Sequence, residues 1–135
     1  MSELAEDYRR DQAGSLAELL GLEWTDAVRG RVEGRCVIHP HHLAPNGFLH
    51  AASVIALADT ACGYGCSTVL PKEAKGFTTA ELKANLLGTA RQGAISCIAT
   101  VVHAGRTTQV WDATVKNDVT GKTIGLFRCT QIVLY

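Results

Sequence analysis

The chain has 135 residues, with 13 lysines and arginines balanced by 13 aspartates and glutamates, so its net charge is zero. This length fits one domain over residues 1–135 with a moderate core and no room for a second. The basic residues are spread thinly, which argues against nucleic acid as a partner. No apolar stretch is uniform enough to span a bilayer, and the acidic N-terminus is unlike a signal peptide, so we expect a cytoplasmic protein.

The N-terminal half predicts two helices and two strands. Ser15 and Glu18 form a capping box that opens a short helix. Alternating apolar and charged residues then indicate a half-buried strand, and Pro45-Asn46-Gly47 is typical of a turn. The predicted elements are a helix over 15–20 ended by Gly21, strands at 22–24 and 29–38, a loop over 39–49 and an apolar helix over 50–70.

The chain after residue 76 is interpreted entirely as strand, because segments rich in Ile, Val and Thr alternate with short turns. The predicted strands are 77–87, 94–103, 107–116 and 122–134. Short connections predict a meander of antiparallel hairpins. The long helix is apolar nearly all round and needs enclosure, so we expect an α+β fold in which a curved antiparallel sheet wraps it. Unpaired strand edges then favour pairing with a second copy.

The most informative residue is Asp59, the only charged residue between Ala51 and Pro71. A buried, unpaired carboxylate is expensive, so such a group is usually paired, protonated or functional. The competing explanation is that Asp59 caps a shorter helix beginning at Thr60. Because alanine, leucine and isoleucine on both sides favour one continuous helix, we favour the interpretation that Asp59 has a functional role.

Cysteines and histidines raise the question of a metal site. The histidine run from His39 to His42 is dense, but it has no acidic partner nearby and Pro40 implies an extended loop, so we predict no bound metal. The five cysteines lie in apolar segments, where we expect free, buried thiols: Cys36, Cys62, Cys66, Cys97 and Cys129.

Four ordered segments, within residues 28–134, resemble the hot dog fold acyl-CoA thioesterases, particularly the branch with the phenylacetate-degradation and hydroxybenzoyl-CoA thioesterases. These segments are His50-Ala-Ala52 in place of His-Gly-Gly, Leu57-Ala-Asp59-Thr60 with the family's acidic residue, Thr79 to Asn85 in place of a central strand, and His103 to Thr108 with Trp111-Asp112 in place of the hairpin that contacts coenzyme A. The resemblance implies the hot dog fold, a curved sheet around a long central helix.

The resemblance also implies hydrolysis of an acyl-CoA thioester at a dimer interface, with no cofactor beyond the coenzyme A of the substrate. The Ala51 backbone N–H, at the positive end of the helix dipole, would polarise the thioester carbonyl. Asp59 of the partner subunit would be the nucleophile or the base that activates water, and Thr79 would orient that water or the carboxylate. Arg106 and Thr107 would bind the coenzyme A phosphates. We expect at least a homodimer and favour a homotetramer.

One position departs from the family pattern. The family's asparagine or glutamine, fifteen residues before the acid, is Ala44 here. A shifted loop would let Asn46 or His50 reach the thioester instead, or this side-chain contact is absent. The alternative for His50 is a bond to backbone at the start of the helix. Where it has been measured, losing one oxyanion donor costs about 10²–10³ in rate.

The leading interpretation is therefore a thioesterase acting on an aryl or medium-chain acyl-CoA, since the helix offers an apolar lining. Two alternatives stay open. A hot dog dehydratase acting on hydroxyacyl thioesters would pair His50 with Asp59. A non-catalytic dimer that binds or senses acyl-CoA would account for Ala44.

Overall fold

The computed structural model describes residues 2–135 and contains one six-stranded antiparallel sheet with a long helix packed against it. The predicted α+β architecture is confirmed. The helices are α1 (Glu3–Asp11), α2 (Leu16–Leu19) and α3 (Ala51–Thr68), with a 3-10 helix at Pro40–His42. The strands are β1 (Leu22–Val28), β2 (Arg31–Val37), β3 (Gly76–Leu86), β4 (Ala94–Ala104), β5 (Thr108–Asn117) and β6 (Thr123–Leu134).

Helix α3 runs without interruption, so Asp59 lies in its middle and does not cap a helix at Thr60. Its buried residues recur three or four positions apart, which gives one face packed on the sheet. Small residues let the helix approach closely: a Cβ atom at Gly65 would lie 2.4 Å from the Trp111 ring. The opposite side of α3 is only half-buried or exposed, so the sheet encloses the helix less completely than predicted. Within residues 2–135, no helix is long and apolar enough to cross a membrane.

The strand order is β1-β2-β4-β5-β6-β3, with every neighbouring pair antiparallel. The predicted hairpins from β4 to β6 are present, but β3 pairs with β6 and not with β4. The predicted meander is therefore wrong at β3. The reason is that α3 crosses the sheet after β2 and delivers β3 to the far edge. The segment that resembles a central strand is thus an edge strand of the single chain, with one side unpaired.

The N-terminal region differs from the predicted elements in three ways, the first being that β1 continues to Val28 and does not end at residue 24. Helix α1 was not among them, although Ser2 caps it and basic residues fill its last turn. The predicted strand over 29–38 begins later, at Arg31, because Arg29 and Gly30 form the turn after β1. Gly30 has φ +81°, a backbone conformation that favours glycine.

The short helix predicted over 15–20 is observed as α2 and ends before Gly21, whose φ is +73°. Its capping differs from a capping box. The Ser15 hydroxyl donates to the Gln12 carbonyl oxygen, and the Glu18 carboxylate accepts from the Gly14 N–H at 3.1 Å. The five cysteines are buried and free, as predicted.

Candidate functional site

A pocket of about 410 Å³ opens beside Asp59 on the less covered side of α3. Three elements meet there: the C-terminal half of α3, the edge strand β3 and the N-terminal helix α1. The lining residues are Asp59, Thr60, Gly63, Tyr64 and Ser67 from α3, Phe77 and Thr79 from β3, and Tyr8 and Asp11 from α1. The structure therefore brings two of the predicted site residues, Asp59 and Thr79, to the same pocket.

The Asp59 carboxylate is only partly solvated. Its Oδ1 atom is buried and has no hydrogen-bond partner within residues 2–135. Burial raises the pKa of Asp59 above its ordinary value of 3.8, because the charged form loses hydration. Native proteins rarely leave a buried polar atom unpaired, and a catalytic role is one of the reasons for such an exception. Asp59 is therefore available to accept a proton or a hydrogen bond from a molecule in the pocket.

Thr79 lies at an irregularity of β3, where the pairing with β6 shifts register between Thr79 and Glu81. Such bulges often re-aim a side chain beside an active site. The Thr79 hydroxyl donates to the side-chain oxygen of Gln131 at 3.0 Å. Gln131 is fully buried, and its amide nitrogen donates to the Cys129 sulfur at 3.5 Å. Sequence reasoning missed Gln131, because no local pattern links it to Thr79.

An aromatic pair joins α1 to the pocket. The rings of Tyr8 and Tyr64 stack with centroids 4.1 Å apart and an interplanar angle of 12°. Each hydroxyl donates to the backbone oxygen of the other tyrosine, at 3.4 Å and 3.2 Å. The Trp24 ring meets Tyr64 edge-on at 5.1 Å. The sequence interpretation also missed Tyr8, although the N-cap Ser2 and the acidic first turn were a signal for α1.

A second pocket, of about 320 Å³, lies at the N-terminal end of α3. His50 lines it and caps the helix, with Nδ1 accepting from the Ala52 N–H at 2.9 Å. In neutral His50 the proton is therefore on Nε2, which remains available as a donor. The Ala51 N–H has no acceptor among the described residues, as expected for the first turn of a helix. The other lining residues are Leu16, Leu20, His41, Leu43, Ala52, Ser53 and Ala56.

The structure does not bring Asn46 to this site. Its side-chain oxygen accepts from the Phe48 N–H at 3.1 Å, so the amide stabilises the turn. Asn46 is exposed and lines neither of the two pockets. Ala44, at the position where the family has an amide, offers only backbone groups, which bond to Phe48 and Gly47.

The histidine run contributes to the stability of the fold more than to ligand binding. His42 is buried, with Nε2 donating to the Leu20 oxygen at 2.6 Å and Nδ1 accepting from the His39 N–H at 2.9 Å. Desolvation and the neighbouring His42 and His39 lower the pKa of His41, which lines the pocket beside His50. Within residues 2–135, no group of three or more His, Cys, Asp or Glu side chains is placed to hold a metal ion.

Arg106 and Thr107 lie on the surface in the turn between β4 and β5. The Arg106 guanidinium sits over the Tyr135 ring, 5.5 Å from its centroid, and the Tyr135 hydroxyl donates to the Arg106 oxygen at 2.6 Å. The Thr107 oxygen accepts from the Val133 N–H. Neither residue lines the Asp59 pocket, so both belong to a separate surface of the chain.

Three known proteins are similar to this chain in sequence or structure. The chain is 28% identical to the 1,4-dihydroxy-2-naphthoyl-CoA hydrolase of Listeria monocytogenes over 118 residues, which is 87% of this chain and 94% of the relative. A thioesterase of Pseudomonas aeruginosa, solved with a glutamine replaced by alanine, is 26% identical with a TM-score of 0.90, over 96% of this chain and 93% of that one.

A Staphylococcus aureus thioesterase is 28% identical with a TM-score of 0.84, over 89% of this chain and 98% of that one. It has been solved with a glutamine replaced by alanine and also with a glutamate replaced by alanine. Residues 46–124 match the family model of the thioesterase superfamily, a segment that begins in the turn before α3 and ends in β6. The hot dog fold and the prediction of a thioesterase are confirmed, and the chain belongs to the thioesterase superfamily.

Proposed function

We propose that the chain hydrolyses acyl-CoA thioesters to a free acid and coenzyme A at a site shared by two copies. The observation that carries this proposal is the buried, unpartnered carboxylate oxygen of Asp59 in a pocket wall. Asp59 takes a proton from water as the water oxygen bonds to the thioester carbon. The oxyanion that forms is stabilised by the Ala51 N–H. When the C–S bond breaks, the thiolate leaves and the proton on Asp59 returns to it. This reaction needs no metal or other cofactor.

Helix geometry supports a site built from two copies. Ala51 and Asp59 are eight residues apart in one helix, so about 12 Å along its axis separates them. One carbonyl group cannot contact both within a single chain. Ala51 and Asp59 both lie on the less covered side of α3. If the α3 helices of two copies faced each other in antiparallel orientation, Ala51 of one copy would approach Asp59 of the other.

Strand β3 supports this assembly. Its outer edge is unpaired, and Leu82 and Leu86 are 40% and 41% exposed although they share the inner face with buried residues of β6. A second β3 strand pairing antiparallel with the first would continue the sheet and cover these leucines. We therefore propose at least a homodimer; the homotetramer stays a prediction.

This chain lacks a side-chain amide at the position where the family pattern has one. The glutamine and the glutamate replaced in the S. aureus protein are fifteen residues apart, the same separation as Ala44 and Asp59. This spacing supports Ala44 as the position of the lost amide. The remaining donors at the start of α3 are the Ala51 N–H and the His50 Nε2–H.

The acyl group that fits best is an aryl group. Tyr8, Tyr64 and Phe77 line the Asp59 pocket, and aromatic rings prefer to stack on or meet the edges of other rings. A thiol-release assay against a panel of aryl and fatty acyl-CoAs tests the function. We expect turnover, fastest with an aryl substrate. Calorimetric binding of acyl-CoA without thiol release would instead favour a binding or sensing protein.

Replacing Leu82 with aspartate should break the dimer and remove thioesterase activity, because a charge would be buried on the inner face of the sheet where the two β3 strands meet. Size-exclusion chromatography with light scattering and the thiol-release assay measure both effects. The matched control is Val28→Asp on the opposite edge strand β1, where Val28 is 51% exposed. That variant should remain dimeric and active. A monomeric wild-type protein with full activity would contradict the shared site.

Arg106→Ala should raise KM for acyl-CoA several-fold and leave kcat nearly unchanged, because an exposed guanidinium can bind the coenzyme phosphates. The effect should be smaller for a short pantetheine thioester that lacks the nucleotide. Added salt should reduce the wild-type preference for the full coenzyme. Equal losses on both substrates would show that Arg106 does not contact the nucleotide.

A further inference from the structure

Gln131 contacts the candidate site from inside the core. It is fully buried and stands opposite Thr79 in the pairing of β3 with β6. On the other side of β6, Gln109 of β5 stands opposite Gln131 and is equally buried. The Gln109 amide nitrogen donates to the Cys66 and Val69 oxygens, and its side-chain oxygen accepts from the Trp111 indole. Those bonds hold α3 to the sheet. Gln131 makes no such link, and its side-chain oxygen instead meets the hydroxyl of a pocket residue.

We propose that Gln131 is a positioning residue that engages the Thr79 proton, so that Thr79 presents only hydrogen-bond acceptors to the pocket. This inference rests on the proposed function, since it assigns Thr79 the task of holding the attacking water. A hydroxyl has a single proton and two lone pairs. With the proton donated to Gln131, the Thr79 oxygen can accept a hydrogen bond but cannot donate one to Asp59.

The orientation of the Gln131 amide follows from its other neighbour. The amide nitrogen donates to the Cys129 sulfur, 3.5 Å away. An amide whose N–H end is bonded on one side presents its carbonyl oxygen to the other. The carbonyl end therefore faces Thr79, at 3.0 Å.

Two acceptors in one pocket fix the orientation of a water molecule. The Asp59 carboxylate accepts one water proton and Thr79 accepts the other, which leaves the water lone pairs directed away from both. Water then attacks the thioester carbon, its first proton passes to Asp59, and the C–S bond breaks as the thiolate leaves and takes that proton. Because Thr79 gives Asp59 no hydrogen bond, the raised pKa of the carboxyl is preserved, as a general base requires.

Gln131→Met tests this role, since methionine has a similar length but no amide oxygen. The freed Thr79 hydroxyl should turn to the Asp59 carboxylate and stabilise its charged form. We expect kcat to fall about 10–100-fold with KM unchanged. In a plot of kcat against pH, the acid limb, where kcat rises as Asp59 loses its proton, should move to lower pH. Thr79→Val removes the hydroxyl at an exposed position, and in that background Gln131→Met should change neither kcat nor the acid limb further.

A second readout does not depend on turnover. Titration of the 13C-labelled Asp59 carboxyl by NMR should show a lower pKa in Gln131→Met than in the wild type, and no change in Thr79→Val. If Thr79→Val raises the pKa of Asp59, Thr79 already donates to the carboxylate and the inference is wrong. A kcat loss of equal size in both Thr79 backgrounds, with an unmoved acid limb, would also overturn it. A wild-type protein without thiol release would remove the proposed function instead, and the titration would still decide the hydrogen-bond assignment.

Discussion

Asp59→Asn is expected to lower kcat for thioester hydrolysis by about 10³–10⁴-fold, because an amide cannot take a proton from water. The fold should be unaffected, since the buried Oδ1 has no hydrogen bond to lose within the described chain. Thiol release at saturating substrate measures the effect. Asp11→Asn is the matched control, as Asp11 is a carboxylate lining the same pocket on α1. If Asp59→Asn turns over at the wild-type rate, Asp59 is not the base.

The same substitution should also stabilise the protein at neutral pH. Burial raises the folded-state pKa of Asp59 above 3.8, so between 3.8 and the raised value the native state holds a proton that the unfolded state has lost. Stability therefore falls as pH rises through this window. The gain in the free energy of unfolding from Asp59→Asn should be absent below this pH window and complete above it. Urea unfolding at several pH values and one protein concentration measures it, and a pH-independent difference would contradict the assignment.

Ala51→Pro should lower kcat about 10²–10³-fold, the usual cost of losing one oxyanion donor. Proline removes the backbone N–H of residue 51 and nothing else of chemical importance. Helices accept proline at their first position, and His50 already has the extended backbone, φ −65° and ψ 135°, that precedes a proline comfortably. The helix should therefore form normally.

Ala51→Gly is the control for this substitution because it keeps the N–H. We expect it to retain activity within a few-fold of the wild type. Circular dichroism and thermal unfolding should report folded protein for both variants. Full activity in Ala51→Pro would show that the oxyanion is stabilised elsewhere, with the His50 Nε2–H as the remaining donor at this end of the helix.

Local physical chemistry was enough to predict most elements and to single out one candidate site residue. A lone carboxylate in an apolar helix identified Asp59, and alternation between turn residues identified the last four strands. Strand pairing was not predictable in the same way. Alternation shows which residues share a face but not which strand lies alongside, so the sequence did not reveal that α3 carries β3 past β4 and β5 to the outer edge of β6.

The rest of the site depends on contacts between distant parts of the chain. Gln131 is 52 residues from Thr79, and Tyr8 is 56 residues from Tyr64. Neither pair leaves a periodic signal. Asn46 is the opposite case. The sequence suggested it as an oxyanion donor, but its side-chain amide bonds to the backbone of its own turn.

The central claim, a site shared by two copies, is tested most directly by combining two inactive variants. Asp59→Asn and Ala51→Pro carrying different affinity tags are coexpressed, and dimers retaining both tags are purified. In such a dimer one site holds an intact Ala51 N–H from one copy and an intact Asp59 from the other. The account predicts that these mixed dimers recover about half of the wild-type activity per dimer, because one of two symmetric sites is whole. Mixed dimers as inactive as either parent would contradict it.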